Sequence, residues 1–223
     1  MEVRQSLSSA ISRAADYLAE RYNLSSIKDS RAYPAQRKSY IVNIFGAMNG
    51  YLTQDDSLIA ARNEFSKEVI ERFYDVFVLG YIQSGSDESE LTGDNEDLAW
   101  INARTEEEIG YIKSLFVSLK EAKSSDMTVD ELKQLAQDRA DAYANSLDMV
   151  NSEGKMRGAK NIMLTMVGDD GAESCNDCRK RKGKRYSAKK WLAVGYPPSR
   201  DFECHGYHCD HYLVDDNGKR WTL

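Results

Sequence analysis

Apolar residues recur at spacings of three and four over the first two thirds of the chain, which is the pattern of amphipathic helices. A stripe between positions 7 and 18 predicts a first helix of about five turns. Pro34 is well placed to open a second helix through Met48, since proline is favoured at the first helical position. A third helix is predicted to start between Thr53 and Asp56 and to reach about Ile82. Its apolar stripe consists of Leu58, Phe65, Val69, Phe73 and Phe77.

Two further helices each follow a capping box, in which a threonine and a glutamate three residues later bond each other's backbone N–H groups. Thr105 with Glu108 predicts one start, and Thr128 with Glu131 predicts the other. Residues 84–97 contain two glycines and six acidic residues, so a solvated loop is expected there. The inward face of the last helix is predicted to hold Leu132, Leu135, Ala136, Ala140, Tyr143 and Leu147.

The composition supports a soluble globular protein rich in helix. The chain has 223 residues, of which 41% are hydrophobic, 30% are charged and three are prolines. That length suits one or two domains. No apolar run reaches the about 18 residues needed to span a bilayer, and Met1–Arg21 lacks the apolar core of a secretory signal. We therefore expect synthesis in a reducing cytoplasm.

Charge and metal-binding side chains are unevenly distributed. Residues 151–223 carry 14 Lys and Arg against 10 Asp and Glu, whereas residues 1–150 carry 16 against 26. All four cysteines and all three histidines also fall after position 174. This asymmetry predicts two parts, a helical region at 1–150 and a chemically distinct C-terminal domain at 151–223.

The cysteines form two close pairs, a C-x2-C at Cys175 and Cys178 and a C-x4-C at Cys204 and Cys209, separated by 25 residues. Each pair aims two sulfurs at one point and the spacer folds back to join the pairs, which is the usual pattern of a tetrahedral zinc site. Thiolates suit zinc because the ion is borderline soft and four-coordinate. The pattern predicts one structural Zn²⁺.

Three histidines lie beside the second pair, at His205, His208 and His211, and any of them is an alternative to a thiolate as the fourth ligand. Two readings without metal stay open, namely two disulfides or four free thiols, although a cytoplasmic origin weighs against disulfides. A catalytic zinc needs three protein ligands and an open position for water. Since the donors exceed four, a closed structural site is favoured and no enzymatic activity is expected.

The spacer between the pairs contains clear local signals. Gly183–Tyr186 predicts a short strand, and Ser187 is expected to cap a helix over Ala188–Val194. In that helix Trp191 and Leu192 are expected to face inward. Gly195 should then end the helix.

A hairpin signal follows the second pair. Alternating segments at 210–214 and 219–223 flank Asn217-Gly218, a dipeptide typical of tight β-turns. The predicted fold is therefore mainly α, an N-terminal helical region followed by a small α+β zinc-binding domain with a C-terminal β-hairpin. Such a domain is too small for a core of its own, so metal binding would supply much of its folding free energy.

A basic run beside the first pair is the candidate for nucleic-acid contact. Six positive charges lie between positions 179 and 185. Through Arg179, Lys180, Arg181 and Lys182 the run could hold DNA phosphates weakly and without sequence preference. A solvated loop, or a patch that docks on the chain's own acidic surface, is the favoured explanation of the run. Aromatic residues that would stack on bases are not interleaved with it.

A longer motif lies over the same region and begins upstream of it. Its residues are, in order, Ala140-Asp-Ala-Tyr143-Ala-Asn-Ser-Leu147, Gly154, Glu173-Ser-Cys175-x2-Cys178, Gly183-Lys-x-Tyr186, Trp191, Gly195, Pro197 and Cys204-x-Gly206-x2-Cys209-x-His211-x-Leu213. This order resembles the C-terminal part of tailed-phage head morphogenesis proteins, the MuF-type minor head proteins. Many members have C-x-C where this chain has Cys209-Asp210-His211, which makes His211 a metal-ligand candidate and leaves open whether it or Cys204 is the fourth donor.

The resemblance covers roughly residues 130–215 and implies a minor virion component, made in the host cytoplasm and associated with the portal, head or neck. The helical region would then serve assembly contacts with portal, capsid or connector proteins. A zinc-dependent nucleic-acid-binding protein or nuclease is the alternative function. A nuclease of the histidine–metal kind uses a histidine as general base, and Asp210-His211 is the nearest feature to that arrangement.

Overall fold

The computed structural model describes residues 32–91, 95–169, 174–197, 199, 201–204 and 209–221. Four long helices come first and a small α+β region with a three-stranded antiparallel sheet follows, which confirms the predicted fold class. The helices and strands in chain order are α1 (Ala32–Thr53), α2 (Leu58–Gln83), α3 (Glu96–Lys123), α4 (Val129–Ala159), β1 (Met163–Val167), α5 (Asn176–Arg181), β2 (Arg185–Ser187), α6 (Ala188–Val194) and β3 (Tyr212–Val214). In this part of the chain, no helix combines the length and apolarity that crossing a membrane requires. The helix predicted at 7–18 lies outside it.

The helix starts follow the sequence signals unevenly. The capping box at Thr128 is confirmed, because the backbone N–H of Thr128 donates to Glu131 at 2.7 Å and that of Glu131 donates to the Thr128 hydroxyl at 3.3 Å. The box at Thr105 is wrong, since α3 already begins at Glu96, where the Asn95 side chain accepts from the N–H of Asp97. Thr105 is buried inside α3.

The predicted start of the third helix at Thr53 is also wrong. Thr53 is the last residue of α1, and its hydroxyl donates back to the carbonyl of Asn49 at 2.9 Å. The helix α2 starts at Leu58 instead, where the Ser57 hydroxyl accepts from the N–H of Ala60. The apolar stripe of this helix is confirmed from Phe65 onward, because its phenylalanines and Val69 are fully buried.

The described residues of the acidic segment between α2 and α3, up to Leu91, contain regular structure where a solvated loop was expected. A 3₁₀ turn at Glu88–Glu90 has its own capping box with Asp87. The Glu90 carboxylate forms an ion pair with Lys160, and Leu91 is buried. Two acidic residues at 96 and 97 belong to the first turn of α3, where negative charge is favourable.

The sheet has the order β2-β1-β3, so β1 is the central strand. Thr165 pairs with Arg185 on one side and with Val214 on the other. The sequence reasoning did not identify β1, although its side chains alternate between buried and partly exposed positions. The predicted C-terminal hairpin has β3 as its first arm, and in the described residues its second arm consists of a single bridge between Val214 and Arg220.

The chain divides into two compact units, each made from separated segments. The first contains the described residues up to Asp75 together with Ala103–Asp141, and Phe65 packs edge-on against Phe116 there at 5.7 Å between ring centroids. The second contains Val76–Asn102 and the residues from Ala142 onward. The cysteines therefore share a unit with the last turns of α2, the start of α3 and the second half of α4.

In the second unit, the backbones of α2 and α4 approach closely at glycines. A Cβ on Gly154 would overlap the carbonyl of Phe77, and a Cβ on Gly80 would overlap the carbonyl of Asn151. The buried side-chain amide of Asn151 donates to the carbonyl of Val76 at 2.9 Å. Because backbone atoms meet backbone atoms here, larger side chains could be accommodated only by moving the helices apart.

Candidate metal centre

The structure brings the four cysteines and His211 together around Cys178. The ligand atoms of Cys175, Cys178 and Cys204 lie within 4.8 Å of one another, and so do those of Cys178, Cys209 and His211. Cys178 belongs to both of these triads, and a third such group consists of Cys175, Asp177 and Glu203. Two predicted alternative ligands, His205 and His208, lie outside the described residues.

The first cysteine pair is positioned by α5. Cys175 is the N-cap residue, and its sulfur accepts from the backbone N–H of Cys178 at 3.4 Å. Since Cys178 follows within the first helical turn, both sulfurs point to the same side of the helix. The sequence did not predict this helix, since it indicates a turn at the cysteine pair followed by a basic run.

The second pair brings a sulfur to a distance that suits a shared metal ion. The sulfur of Cys209 lies 3.6 Å from that of Cys178. A disulfide would require about 2.05 Å, and no disulfide joins the four cysteines, all of which are described. Two thiolates on one tetrahedral zinc, each about 2.3 Å from the ion, lie about 3.8 Å apart. The sulfur geometry therefore fits zinc.

His211 lies in the cluster next to a glycine of the chain segment opposite it. It precedes β3, and its side chain is buried. Gly168, directly after β1, has φ of +143° and lies against it, since a Cβ there would be 2.7 Å from the His211 Cα and 3.0 Å from its Cδ2. Sequence reasoning missed Gly168, and only its position after the mostly apolar residues 162–167 could have indicated a role.

The thiols of the cluster affect each other's ionisation. Burial raises the pKa of Cys178 strongly, and the negative charge of a nearby Cys209 thiolate raises it further. Burial also raises the pKa of Cys175, but hydrogen bonds from the backbone and side chains of Cys178 and Cys204 outweigh burial and lower it overall. Several thiolates in such a place need a compensating cation, and a bound metal ion provides it. The donor chemistry thus fits a soft divalent ion.

An apolar cluster includes Cys178 and packs against the other three cysteines. Trp191 of α6 is fully buried and its indole N–H donates to the carbonyl of Leu164 at 2.9 Å. The predicted helix Ala188–Val194 is confirmed, with the Ser187 hydroxyl accepting from the N–H of Lys190 and Gly195 ending it at φ of +81°. The other buried members of the cluster include Met156, Ala159, Met166, Cys178, Ala188, Phe202 and Leu213.

The basic run separates into two kinds of side chain. Arg181 is held in place, because its guanidinium donates to Asp177 at 2.9 Å and to the carbonyl of Val194 at 3.0 Å. Arg179, Lys180 and Lys182 are exposed. Of the four residues predicted to contact DNA, Arg181 therefore has a role within the fold.

The arrangement offers enough donors to fill a metal shell without water. The two triads that share Cys178 together offer five ligand atoms, more than the four positions of a tetrahedral ion, whereas catalytic zinc keeps one position open. Comparisons with protein-family models, curated protein sequences and solved structures found no match. The chemistry of the site is therefore inferred from its own geometry.

The fourth ligand can be identified by paired substitutions. We expect Cys204→Ser to weaken zinc binding by more than the about 10–100-fold that loss of an outer-shell partner costs. We expect His211→Ala to keep close to one zinc per chain, because four thiolates complete the shell. Competition titration with a chromophoric chelator measures both affinities. The Co²⁺ absorption spectrum, which differs between four thiolates and three, checks the assignment, and the reverse ranking of the variants would assign His211 instead.

Proposed function

We propose that the protein is a non-enzymatic structural protein whose C-terminal region is held together by one Zn²⁺, bound by Cys175, Cys178, Cys204 and Cys209. The observation that carries the proposal is the cluster of five donors around the buried Cys178. With its shell filled by protein atoms, zinc supplies cross-linking and folding free energy rather than Lewis-acid chemistry. The protein's own contribution is to hold the sulfurs at tetrahedral separation.

We further propose that the protein is a minor virion component of a tailed phage, in contact with portal, capsid or connector proteins. This part rests on the sequence motif between positions 130 and 215, which resembles the MuF-type minor head proteins. A zinc-binding domain suits such a role. Because the bound ion cross-links it, the domain can stay folded at low copy number within a large assembly.

Two measurements test the proposal. Elemental analysis of protein purified without added metal should find close to one equivalent of zinc, and mass spectrometry of purified particles should find the chain as a minor component. Two stoichiometric disulfides in non-reducing peptide maps would overturn the zinc site. Metal-dependent DNA cleavage that is lost in His211→Ala would favour the nuclease alternative.

A second candidate function is weak binding to DNA through a basic surface. Between Ser174 and Pro197 the chain carries eight basic side chains and one acidic side chain, Asp177, which is engaged by Arg181. Arg185 is also engaged, by Asp216 at 2.7 Å. Six other basic side chains of this segment are exposed, namely Arg179, Lys180, Lys182, Lys184, Lys189 and Lys190. This set differs from the predicted one because it omits Arg181 and includes side chains of α6.

A charge-matched pair of variants tests the basic surface. We expect R179A/K180A/K184A to lower the slope of log affinity against log salt by about 3 in magnitude, since each phosphate contact contributes about 0.9. The control K113A/K120A/K133A removes three exposed lysines of α3 and α4 and should leave the slope unchanged. Binding to a DNA duplex is measured by anisotropy between about 50 and 200 mM salt. Equal losses in both variants would mean that net charge alone is responsible.

A further inference from the structure

The residues that flank the cysteines hydrogen-bond from one cysteine pair to the other. The Glu203 carboxylate, next to Cys204, accepts from the backbone N–H of Asn176 at 2.9 Å and from its side-chain amide at 3.3 Å. In return, the backbone N–H of Glu203 donates to the Asp177 carboxylate at 3.1 Å. Asn176 and Asp177 are the two residues between Cys175 and Cys178. Each pair thus contributes one carboxylate that binds the backbone of the other.

Arg181 extends these contacts to the apolar cluster. Its guanidinium donates to the second oxygen of Asp177 at 2.9 Å and lies 4.5 Å from the ring centroid of Phe202, the residue before Glu203. It also donates twice to the carbonyl of Val194, at 3.0 and 3.3 Å. Gly195 leaves room for this arrangement, because a Cβ there would lie 2.7 Å from the Phe202 ring. The Asp177 carboxylate is therefore fixed from both sides.

We propose that Asp177 and Glu203 form a carboxylate clamp that positions the two cysteine pairs for the metal ion, an inference that rests on the proposed zinc site. The clamp places Cys204 beside Cys175 and Cys178 before the metal binds. Asp177 and Glu203 also lie close enough to Cys175 to form a group of possible ligands, but the proposed shell is filled by four sulfurs, and the two carboxylates accept from backbone N–H groups instead. They act on the metal through the loops that carry the sulfurs.

For two physical reasons, we expect the clamp to increase the affinity for zinc. Joining sulfur pairs that are 25 residues apart costs loop-closure entropy, and contacts that already close the loop remove that cost from the binding step. Outer-shell groups that orient ligands typically change metal affinity by about 10–100-fold. Hydrogen bonds of a charged acceptor to backbone N–H groups are among the stronger ones available to a surface loop.

The test compares three single variants with the wild-type protein. Glu203→Ala should weaken zinc binding at least about tenfold and speed zinc release into excess chelator. Glu203→Gln should keep most of the affinity, because its amide oxygen can still accept from Asn176. The control Asp201→Ala removes one negative charge from the same exposed loop, where the backbone N–H of Asp201 donates to the Ser199 hydroxyl at 3.2 Å, and should bind zinc like the wild type.

The measurements distinguish a role of Glu203 in positioning the ligands from a general loss of stability. They also distinguish failure of the clamp from failure of the zinc site. The Co²⁺ spectrum of Glu203→Ala should match that of the wild type, since the ligands are unchanged while the affinity falls. Equal affinities of Glu203→Ala and the wild type would overturn the clamp, and equal losses in Glu203→Ala and Asp201→Ala would replace it with a simple charge effect. A wild-type protein that binds no zinc would overturn the zinc site instead.

Discussion

Cys178→Ser is expected to abolish zinc binding and to unfold the sheet, α5 and α6. Cys178 is shared by the triad with Cys175 and Cys204 and the triad with Cys209 and His211, so its loss breaks both. It is also buried in the apolar cluster, where a serine hydroxyl would lack the affinity of a thiolate for zinc. At free zinc near 1,000 times Kd, the lost binding amounts to about 4 kcal/mol of stability. The first unit has its own core and should keep its helices.

Chelation of the wild-type protein provides the control for this substitution. If loss of metal explains the effect, apo wild type and Cys178→Ser should show the same circular dichroism and the same urea transition. Far-UV signal that collapsed throughout would mean that the two units unfold together. A variant that kept one equivalent of zinc would contradict the assignment of Cys178 as the shared ligand.

Trp191→Ala is expected to destabilise the cysteine-bearing unit by about 3–5 kcal/mol, as large-to-small substitutions of buried aromatic residues do. The indole is fully buried, stacks obliquely on Tyr186 at 4.9 Å and donates to the carbonyl of Leu164. Its removal leaves a cavity and deletes the indole's hydrogen bond to the central strand. The melting temperature of the zinc-loaded protein should fall by about 10 °C.

A second tryptophan in the same region serves as the control. Trp221 is only partly buried and donates to the Asp215 carboxylate at 3.2 Å. Trp221→Ala should therefore cost much less than Trp191→Ala in urea denaturation of the zinc-loaded protein. Similar costs for both substitutions would show that the apolar cluster around Trp191 is not the main support of the fold.

Local signals were enough to predict several elements of the structure. The helix Ala188–Val194 follows from Ser187 as N-cap and Gly195 as terminator, because both act within one turn of the residues they control. The clustering of the four cysteines follows from their spacing, since short pairs have few ways to arrange their sulfurs. The box at Thr128 formed for the same local reason.

Features that depend on distant residues could not be predicted in this way. The strand β1 is short, and only its partners on both sides identify it as central. The carboxylate clamp joins residues 26 and 27 positions apart, and ordinary surface acids have the same appearance in a sequence. The box at Thr105, by contrast, was wrong for a local reason, since Asn95 caps an earlier start and Glu108 pairs with Arg104, four residues before it, inside the resulting helix.

The discontinuous units have a consequence for synthesis on the ribosome. Val76–Asn102 belongs to a unit whose remaining residues begin only at Ala142 and include β3 near the end of the chain. At translation rates of about 5–20 residues per second, this segment waits roughly ten seconds for its partners. During that delay Phe77, Leu79 and Tyr81, all buried in the finished fold, are exposed on the nascent chain. The yield of folded protein in cells should therefore depend on chaperones that bind nascent apolar segments. Growth at lower temperature should increase that yield.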